Sequence, residues 1–125
     1  MPAILDVFPE QIECDTLVFR AIRNGWIVDN QITSAAFILR RFPDGTLETG
    51  LSVGNNYQNG IGTLTKIKIV VSLHVGRIRT LDLDVFPDDE THAEVRELPP
   101  PEEIILAERA ATALLVQCRI AAPVN

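Results

Sequence analysis

The hydrophobic pattern changes its period at three consecutive prolines, Pro99 to Pro101. After them, Ile104 to Cys118 repeats apolar residues at the spacing of an α-helix, and Pro101 followed by two glutamates suits a first helical turn. Before them, short apolar segments have the period of two that is typical of β-strands. This order predicts one α+β domain over residues 1–125, in which a mostly antiparallel or mixed sheet packs against a C-terminal helix over about residues 101–119.

Six short segments before the helix alternate, and some of them are apolar on both faces, as buried strands are. The turn Pro43-Asp44-Gly45-Thr46 predicts a hairpin between the second and third segments. The stretch 54–62 is rich in glycine and asparagine and predicts a mobile loop, whereas residues 63–70 are compatible with a strand or a short helix. The predicted strands cover about residues 16–22, 34–42, 47–53, 66–75, 77–86 and 92–98.

Charge and hydropathy exclude several classes of protein. The net charge of −6 disfavours nucleic-acid binding, which depends on Lys and Arg meeting phosphates. The apolar stretch 104–116 is interrupted by Glu108 and Arg109, so no membrane span is predicted. The first residues lack the basic region of a secretory signal, and Cys14 and Cys118 lack the spacing of a zinc site. We therefore expect a cytoplasmic protein with reduced cysteines and with neither a metal nor a cofactor.

The charges are unevenly distributed along the chain. Residues 16–79 carry eight basic residues against three acidic ones, whereas the two ends of the chain are acidic. Acidic ends that fold back onto the basic middle would neutralise it internally. A basic surface that binds an anionic ligand is the other interpretation.

Arg20 and Arg40 each interrupt an otherwise apolar face of a predicted strand. A buried charge without a partner is costly, so each guanidinium must meet something negative. One interpretation is an internal ion pair with an acid such as Asp82, Asp84 or Glu94, which would fix the strand register. The other is a preformed pocket in which the planar guanidinium holds a phosphate or a carboxylate.

Three further residues are candidates for chemistry. On an extended backbone His92 and Glu94 point to the same side, where they could share a metal or a substrate proton. Ser52 is a third candidate, although Gly50-Leu51-Ser52-Val53 lacks the spacing of a nucleophile elbow. The acidic segment 88–94 contains no metal-binding motif, so a solvated turn is the simpler interpretation.

Two aromatic residues lie in predicted connections between elements. Trp26 and Tyr57 are the sole tryptophan and the sole tyrosine of the chain. Each could line a ligand pocket or cover an edge of the core.

The predicted helix is apolar on more than its core face. Ile105 and Val116 fall in the sector that also contains Arg109 and Thr112. Such a helix usually needs a second covering surface, so we expect homodimerisation or a protein partner over these four residues. Two isolated exposed apolar residues are the simpler alternative.

The order of five segments resembles that of a family of small uncharacterised bacterial proteins. The segments are Phe19-Arg20-Ala21-Ile22, Ala36-Phe37-Ile38-Leu39-Arg40, Gly50-Leu51-Ser52-Val53, His92-Ala93-Glu94-Val95 and the C-terminal helix. The resemblance implies a single domain. It implies no function, because no activity is established for that family.

Arg20, Ser52 and Glu94 stand in an order that is also similar to the ADP-ribosyltransferase group, which has a strand arginine, a strand serine and a downstream acid. That resemblance implies an arginine that holds a dinucleotide phosphate and an acid that orients the ribose. The Ser-Thr-Ser pattern of the group is replaced here by Leu51-Ser52-Val53.

Taken together, these features predict a binding or accessory domain that acts through a protein partner or a small anionic ligand. The alternative is an enzyme that acts on a phosphate-bearing or nucleotide substrate. Such an enzyme needs five side chains to converge on one concave site. They are Arg20, Arg40, Ser52, His92 and Glu94.

Overall fold

A computed structural model describes residues 2–61 and 67–121 of the chain. The predicted α+β class is confirmed: a mostly antiparallel sheet of six strands and three helices, the last of them C-terminal, form one domain in this part of the chain. The strands are β1 (Leu17–Arg23), β2 (Ile27–Val28), β3 (Gln31–Ile32), β4 (Leu51–Gly54), β5 (Ile67–His74), β6 (Asp84–Pro87), β7 (His92–Arg96) and β8 (Arg119–Ile120). The α-helices are α1 (Tyr57–Ile61), α2 (Val75–Arg79) and α3 (Ile104–Gln117), and 3-10 turns cover Asn24–Trp26 and Ser34–Phe37. None of the described helices is long and apolar enough to cross a membrane.

The large sheet has the strand order β6-β7-β4-β1-β5-β8. On one side, β1 pairs with β5 along its whole length. On its other side, β1 meets β4 at a single described pair, Phe19 opposite Gly54. The sheet therefore opens between these two strands beyond that pair. β2 and β3 form a separate two-stranded ribbon.

The two faces of the sheet are covered by different elements. Val18 and Ile22 of β1 are fully buried in the main hydrophobic core, to which α3 contributes. Phe19 lies on the opposite face, against Gly60 of α1. Because successive strand residues point to opposite faces, Arg20 points to the core side together with Val18 and Ile22.

The strand predicted over residues 34–42 is wrong. Ser34–Phe37 forms a 3-10 turn that packs against α3. Ala36 and Phe37 are consecutive and both fully buried, whereas a strand covered on one face buries alternate residues. The segment is apolar at both sets of alternate positions, and such a pattern fits a buried turn as well as a buried strand.

The strand predicted over residues 77–86 is wrong in its first half. Val75–Arg79 forms α2, whose buried residues Val75 and Ile78 have helical spacing. Asp82 then adopts a φ of 61°, in the left-handed region, which interrupts an extended chain. The strand of this segment is limited to Asp84–Pro87.

The mobile loop predicted over residues 54–62 is wrong as well, because it contains α1. Its glycines mark close approach of two backbones. A Cβ at Gly54 would overlap the backbone of Asn59 and Gly60, and a Cβ at Gly60 would lie 2.9 Å from the Cβ of Phe19. α1 therefore lies directly on β1 and β4.

Other boundaries differ by a few residues. The third predicted strand begins at Leu51, and the C-terminal helix covers Ile104–Gln117. The segment 63–70, which is compatible with a strand or a helix, is described only in part. Residues 67–70 belong to β5, and residues 62–66 lie outside the described residues.

Candidate functional site

The opening between β1 and β4 forms a cleft of about 290 Å³, which we call the β1–β4 cleft. This volume is close to the lower end of the range for small-molecule sites. The cleft is lined by four of the five residues that the sequence singles out, namely Arg20, Arg40, Ser52 and His92. The fifth residue, Glu94, does not line it. The other lining residues are Ala21, Arg23, Trp26, Glu48, Val53, Asn59, Gly60 and Ile61.

Arg20 is the most deeply buried charged residue of the described chain, with 5% of its surface exposed. Its Nε donates a hydrogen bond to the Ala36 carbonyl and its Nη1 donates one to the Ser52 carbonyl, both at 2.9 Å. Arg20 belongs to β1 and Ser52 to β4. The guanidinium thus bridges the two strands at the point where their backbones no longer pair.

The internal ion pair considered for Arg20 does not exist in the described part of the chain. Asp84 pairs instead with Arg79, at 2.9 Å between Oδ1 and Nε. Oε1 of Glu94 lies 3.1 Å from Nη2 of Arg96, and Glu94 does not line the cleft. Neither acid compensates the Arg20 charge.

Burial places the Arg20 cation in an unfavourable electrostatic environment. The pKa of Arg20 falls to about 10, mainly because burial removes the guanidinium from water. The Glu48 carboxylate opposes this lowering of the pKa, whereas the Arg40 and Arg23 guanidinium groups add to it. Arg20 is still a cation at neutral pH. Its positive charge is met by neutral carbonyl oxygens, which compensate it less fully than a carboxylate would.

Arg40 is in a different environment, because its side chain is 43% exposed and it does not lie on a strand. Its Nη2 lies 3.1 Å from Oε2 of Glu48, and its main-chain N–H donates a hydrogen bond of 3.0 Å to Oε1 of the same residue. The Arg40 end of this pair is exposed to solvent, whereas the Glu48 side chain is only 11% exposed. Arg40 therefore has a carboxylate partner, with which a ligand anion would have to share the guanidinium.

Arg23 and Trp26 complete the cationic wall of the cleft. The guanidinium carbons of Arg20 and Arg23 lie 5.1 and 5.6 Å from the centroid of the Trp26 ring, within the range of cation–π contacts. Arg23 makes no ion pair with any described residue. Three arginines and one glutamate make this cleft positive in a protein of net charge −6. Strict alternation would place Arg23 on the face opposite to Arg20, but the register of β1 and β5 shifts between Ile22 and Arg23, so the alternating pattern of the sequence did not indicate Arg23.

Ser52 and His92 approach the cleft from β4 and β7. In the register of these strands Ser52 lies opposite Glu94, and His92 lies opposite Gly54. The Nδ1 of His92 lies 2.6 Å from Oδ2 of Asp88, a contact that orients the imidazole ring. An imidazole held in this way could exchange a proton with a group in the cleft through its Nε2.

Asn59 brings a second kind of polar group to the cleft, from α1. Its Nδ2 donates a hydrogen bond of 2.7 Å to Oδ1 of Asn55, which is fully buried. The Nδ2 of Asn55 donates in turn to the carbonyls of Leu5 and Asp6, at 2.8 and 2.7 Å. These bonds fix the orientation of both amides, and Oδ1 of Asn59 accepts no hydrogen bond from the described residues.

The arginines are the groups of the cleft best suited to holding a ligand, because guanidinium matches the geometry of phosphate and carboxylate. The described residues contain no cluster of three or more His, Cys, Asp or Glu side chains that could hold a metal ion. No protein-family model, no curated protein and no solved structure matches this chain.

Proposed function

We propose that the protein is a binding domain for a small anionic ligand, held by its phosphate or carboxylate group in the β1–β4 cleft. The observation that carries this proposal is the buried guanidinium of Arg20, which lines the cleft without a carboxylate partner among the described residues. A ligand anion would supply the missing negative charge. The binding energy would come largely from this compensation.

The unused donors of Arg20 support the same proposal. A guanidinium carries five N–H donors, of which Arg20 uses one at Nε and one at Nη1. Its Nη2 donates no hydrogen bond to the described residues. Arg23 and Arg40 bring two further guanidinium groups to the same cleft, so an anion can be contacted from more than one side.

Trp26 makes this proposal directly testable, because it is the sole tryptophan of the chain and lines the cleft. Titration with sodium phosphate at constant ionic strength should change its fluorescence along a saturable curve. Sodium acetate in a parallel titration distinguishes a carboxylate from a phosphate site. A response that does not saturate, or that sodium chloride reproduces, contradicts the proposal.

A second candidate function is hydrolysis of a phosphate ester, favoured by the presence of His92, with its Asp88 partner, in the arginine-lined cleft. His92 would take a proton from water as the water oxygen bonds to phosphorus. The bond to the leaving oxygen would break, and His92 would return the proton to that oxygen. If this candidate is right, the wild type releases p-nitrophenol from p-nitrophenyl phosphate and His92→Gln does not. A wild type that releases no p-nitrophenol excludes hydrolysis for this substrate class.

The exposed face of α3 supports a second copy of the chain as a partner. Ile105 and Val116 are each 72% exposed. Glu108 and Arg109 lie beside each other on the same helix, so two such helices packed antiparallel can bring opposite charges together. We therefore propose a homodimer formed over Ile105, Arg109, Thr112 and Val116.

Sedimentation velocity tests the dimer. We expect a mass of two chains at high micromolar concentration and a monomer for Ile105→Asp, because a buried carboxylate would oppose association. Val28→Asp is the matched control, since Val28 is an exposed apolar residue of β2, and it should leave the dimer intact. A monomeric wild type at every concentration contradicts the proposal.

A further inference from the structure

We infer that the β1–β4 cleft selects a dianion carried on a single group, the terminal phosphate of a phosphate monoester, over a monoanion such as a carboxylate or a phosphodiester. This inference rests on the anion-binding function proposed above and narrows its ligand to one class. It comes from the number of charges on the wall of the cleft and from their arrangement around Trp26.

The charges of the cleft leave two cations in excess when His92 is neutral. Three arginines and one glutamate line the cleft. Glu48 is engaged by Arg40, through their ion pair and through the hydrogen bond from the Arg40 main-chain N–H. Arg20 and Arg23 have no carboxylate partner among the described residues. A ligand with one negative charge would leave one of these two cations uncompensated, whereas a dianion balances both.

The pairing of Glu48 with Arg40 is supported by the main chain as well as by the side chains. The Glu48 main-chain N–H donates a hydrogen bond of 2.9 Å to the Arg40 carbonyl, and the Glu48 side chain is only 11% exposed. The two residues thus hold each other in place, and the carboxylate continues to neutralise Arg40 when a ligand enters. The cations left for the ligand are therefore those of Arg20 and Arg23.

These two cations lie around one aromatic ring. Their guanidinium carbons are 5.1 and 5.6 Å from the centroid of Trp26. Burial is the main cause of the low pKa of Arg20; the Glu48 carboxylate raises this pKa, and the Arg40 and Arg23 guanidinium groups lower it, so the charges of the wall act on one another. The two charges of the ligand should consequently lie together on one group, and not on two carboxylates separated by a carbon chain.

A phosphate monoester meets this requirement. The second pKa of such a phosphate is about 6, so at pH 8 the group is a dianion, whose charge is shared by three terminal oxygens. A phosphodiester and a monocarboxylate carry one charge each. The Nη2 of Arg20 donates no hydrogen bond to the described residues, and guanidinium groups match the oxygens of a phosphate.

Methyl phosphate and methyl sulfate test the inference, because they have the same shape and carry two charges and one charge, respectively, at pH 8. In calorimetric titration of the full chain at constant ionic strength, we expect methyl phosphate to bind roughly tenfold more tightly, since a further unit charge near a guanidinium in a partly buried site is worth at least that factor. Malonate, whose two charges lie on separate carboxylates, should bind more weakly than methyl phosphate.

Two variants assign the preference to the charges of the wall. Arg23→Met should weaken binding of methyl phosphate more than binding of methyl sulfate, and Glu48→Gln should strengthen it more, because a dianion responds about twice as strongly as a monoanion to a change in wall charge. A merely structural effect would shift both affinities equally. Arg77→Met and Glu13→Gln, at exposed positions outside the cleft, are the matched controls and should keep the wild-type ratio.

The outcomes separate this inference from the function beneath it. If methyl sulfate or malonate binds the wild type as tightly as methyl phosphate does, the inference is overturned and the anion-binding function stands. If none of the three ligands binds, the anion-binding function itself is wrong. An unchanged ratio in folded Arg23→Met and Glu48→Gln also counts against the inference. If these variants do not fold, the comparison of the three ligands on the wild type still decides.

Discussion

Replacing Arg20 with methionine will lower the affinity of the β1–β4 cleft for phosphate by roughly ten- to a hundredfold, the range expected when a charged hydrogen-bond donor is lost. Methionine fills much of the same space without a charge, so the cleft keeps its apolar contacts. The affinity is read from the fluorescence of Trp26. Arg77→Met is the matched control, because Arg77 is an exposed arginine of α2 outside the cleft, and it should bind phosphate as the wild type does.

The stability of the Arg20 variant must be measured beside its affinity. The substitution removes the hydrogen bonds to Ala36 and Ser52, and each carbonyl left unsatisfied costs about 1–3 kcal/mol. At the same concentration, phosphate should raise the urea midpoint of the wild type more than that of Arg20→Met. If Arg20→Met does not fold, Arg23→Met, in a half-exposed position, should still weaken phosphate binding. Unchanged affinity in a folded Arg20→Met would show that the guanidinium does not hold the anion.

Gly54→Ala will destabilise the protein by about 3 kcal/mol or more, at the upper end of the range for overpacking. The added Cβ would overlap the backbone of both Asn59 and Gly60, and backbone atoms cannot rotate away as a side chain can. α1 would have to move off β4 and take Asn59 out of the cleft. Chemical denaturation measures the loss, and phosphate binding should weaken with it.

Gly25→Ala provides the matched control for this prediction. Gly25 lies in the 3-10 turn before β2, and a Cβ there meets no atom within 4 Å. The substitution should be neutral or stabilise by up to about 1 kcal/mol, because alanine has less conformational entropy to lose on folding. Equal free energies of unfolding for the two variants would contradict the close approach of α1 to the sheet.

Periodicity in the sequence predicts those elements that have one buried face or one apolar stripe. β1, β7 and α3 lie within a few residues of their predicted positions. The segments 34–42 and 77–86 fail for a common reason. Each carries apolar residues at positions compatible with both an extended and a turned backbone, and packing against other elements decides between them.

The candidate site is predicted only in part, because it depends on an opening in the sheet. Arg20, Ser52 and His92 come from three strands that alternation indicates, and the cleft brings them together. Glu94 belongs to the same strand as His92 but is engaged by Arg96. Asn59 lies in a glycine-rich segment that resembles a loop, and nothing local in the sequence indicates that this segment packs on β1.

The splaying of β1 from β4 is also why the two interpretations of Arg20 could not be separated in advance. A continuous sheet would have left the guanidinium among apolar side chains, where an internal acid is its natural partner. The opening instead allows it to bond main-chain carbonyls and to border a cavity. The position of a strand opening depends on long-range pairing, which a local pattern does not encode.

A crystal structure of the protein soaked with tungstate, a heavy-atom analogue of phosphate, tests the central claim most directly. We expect anomalous density in the β1–β4 cleft, with an oxygen of the anion within hydrogen-bond distance of Nη2 of Arg20. Anomalous density beside Arg23 or Arg40 as well would match a cationic wall formed by all three arginines. A cleft without the anion at saturating tungstate, with the Glu48 carboxylate turned onto Arg20, would contradict the account, because the buried charge would then be compensated from within the chain.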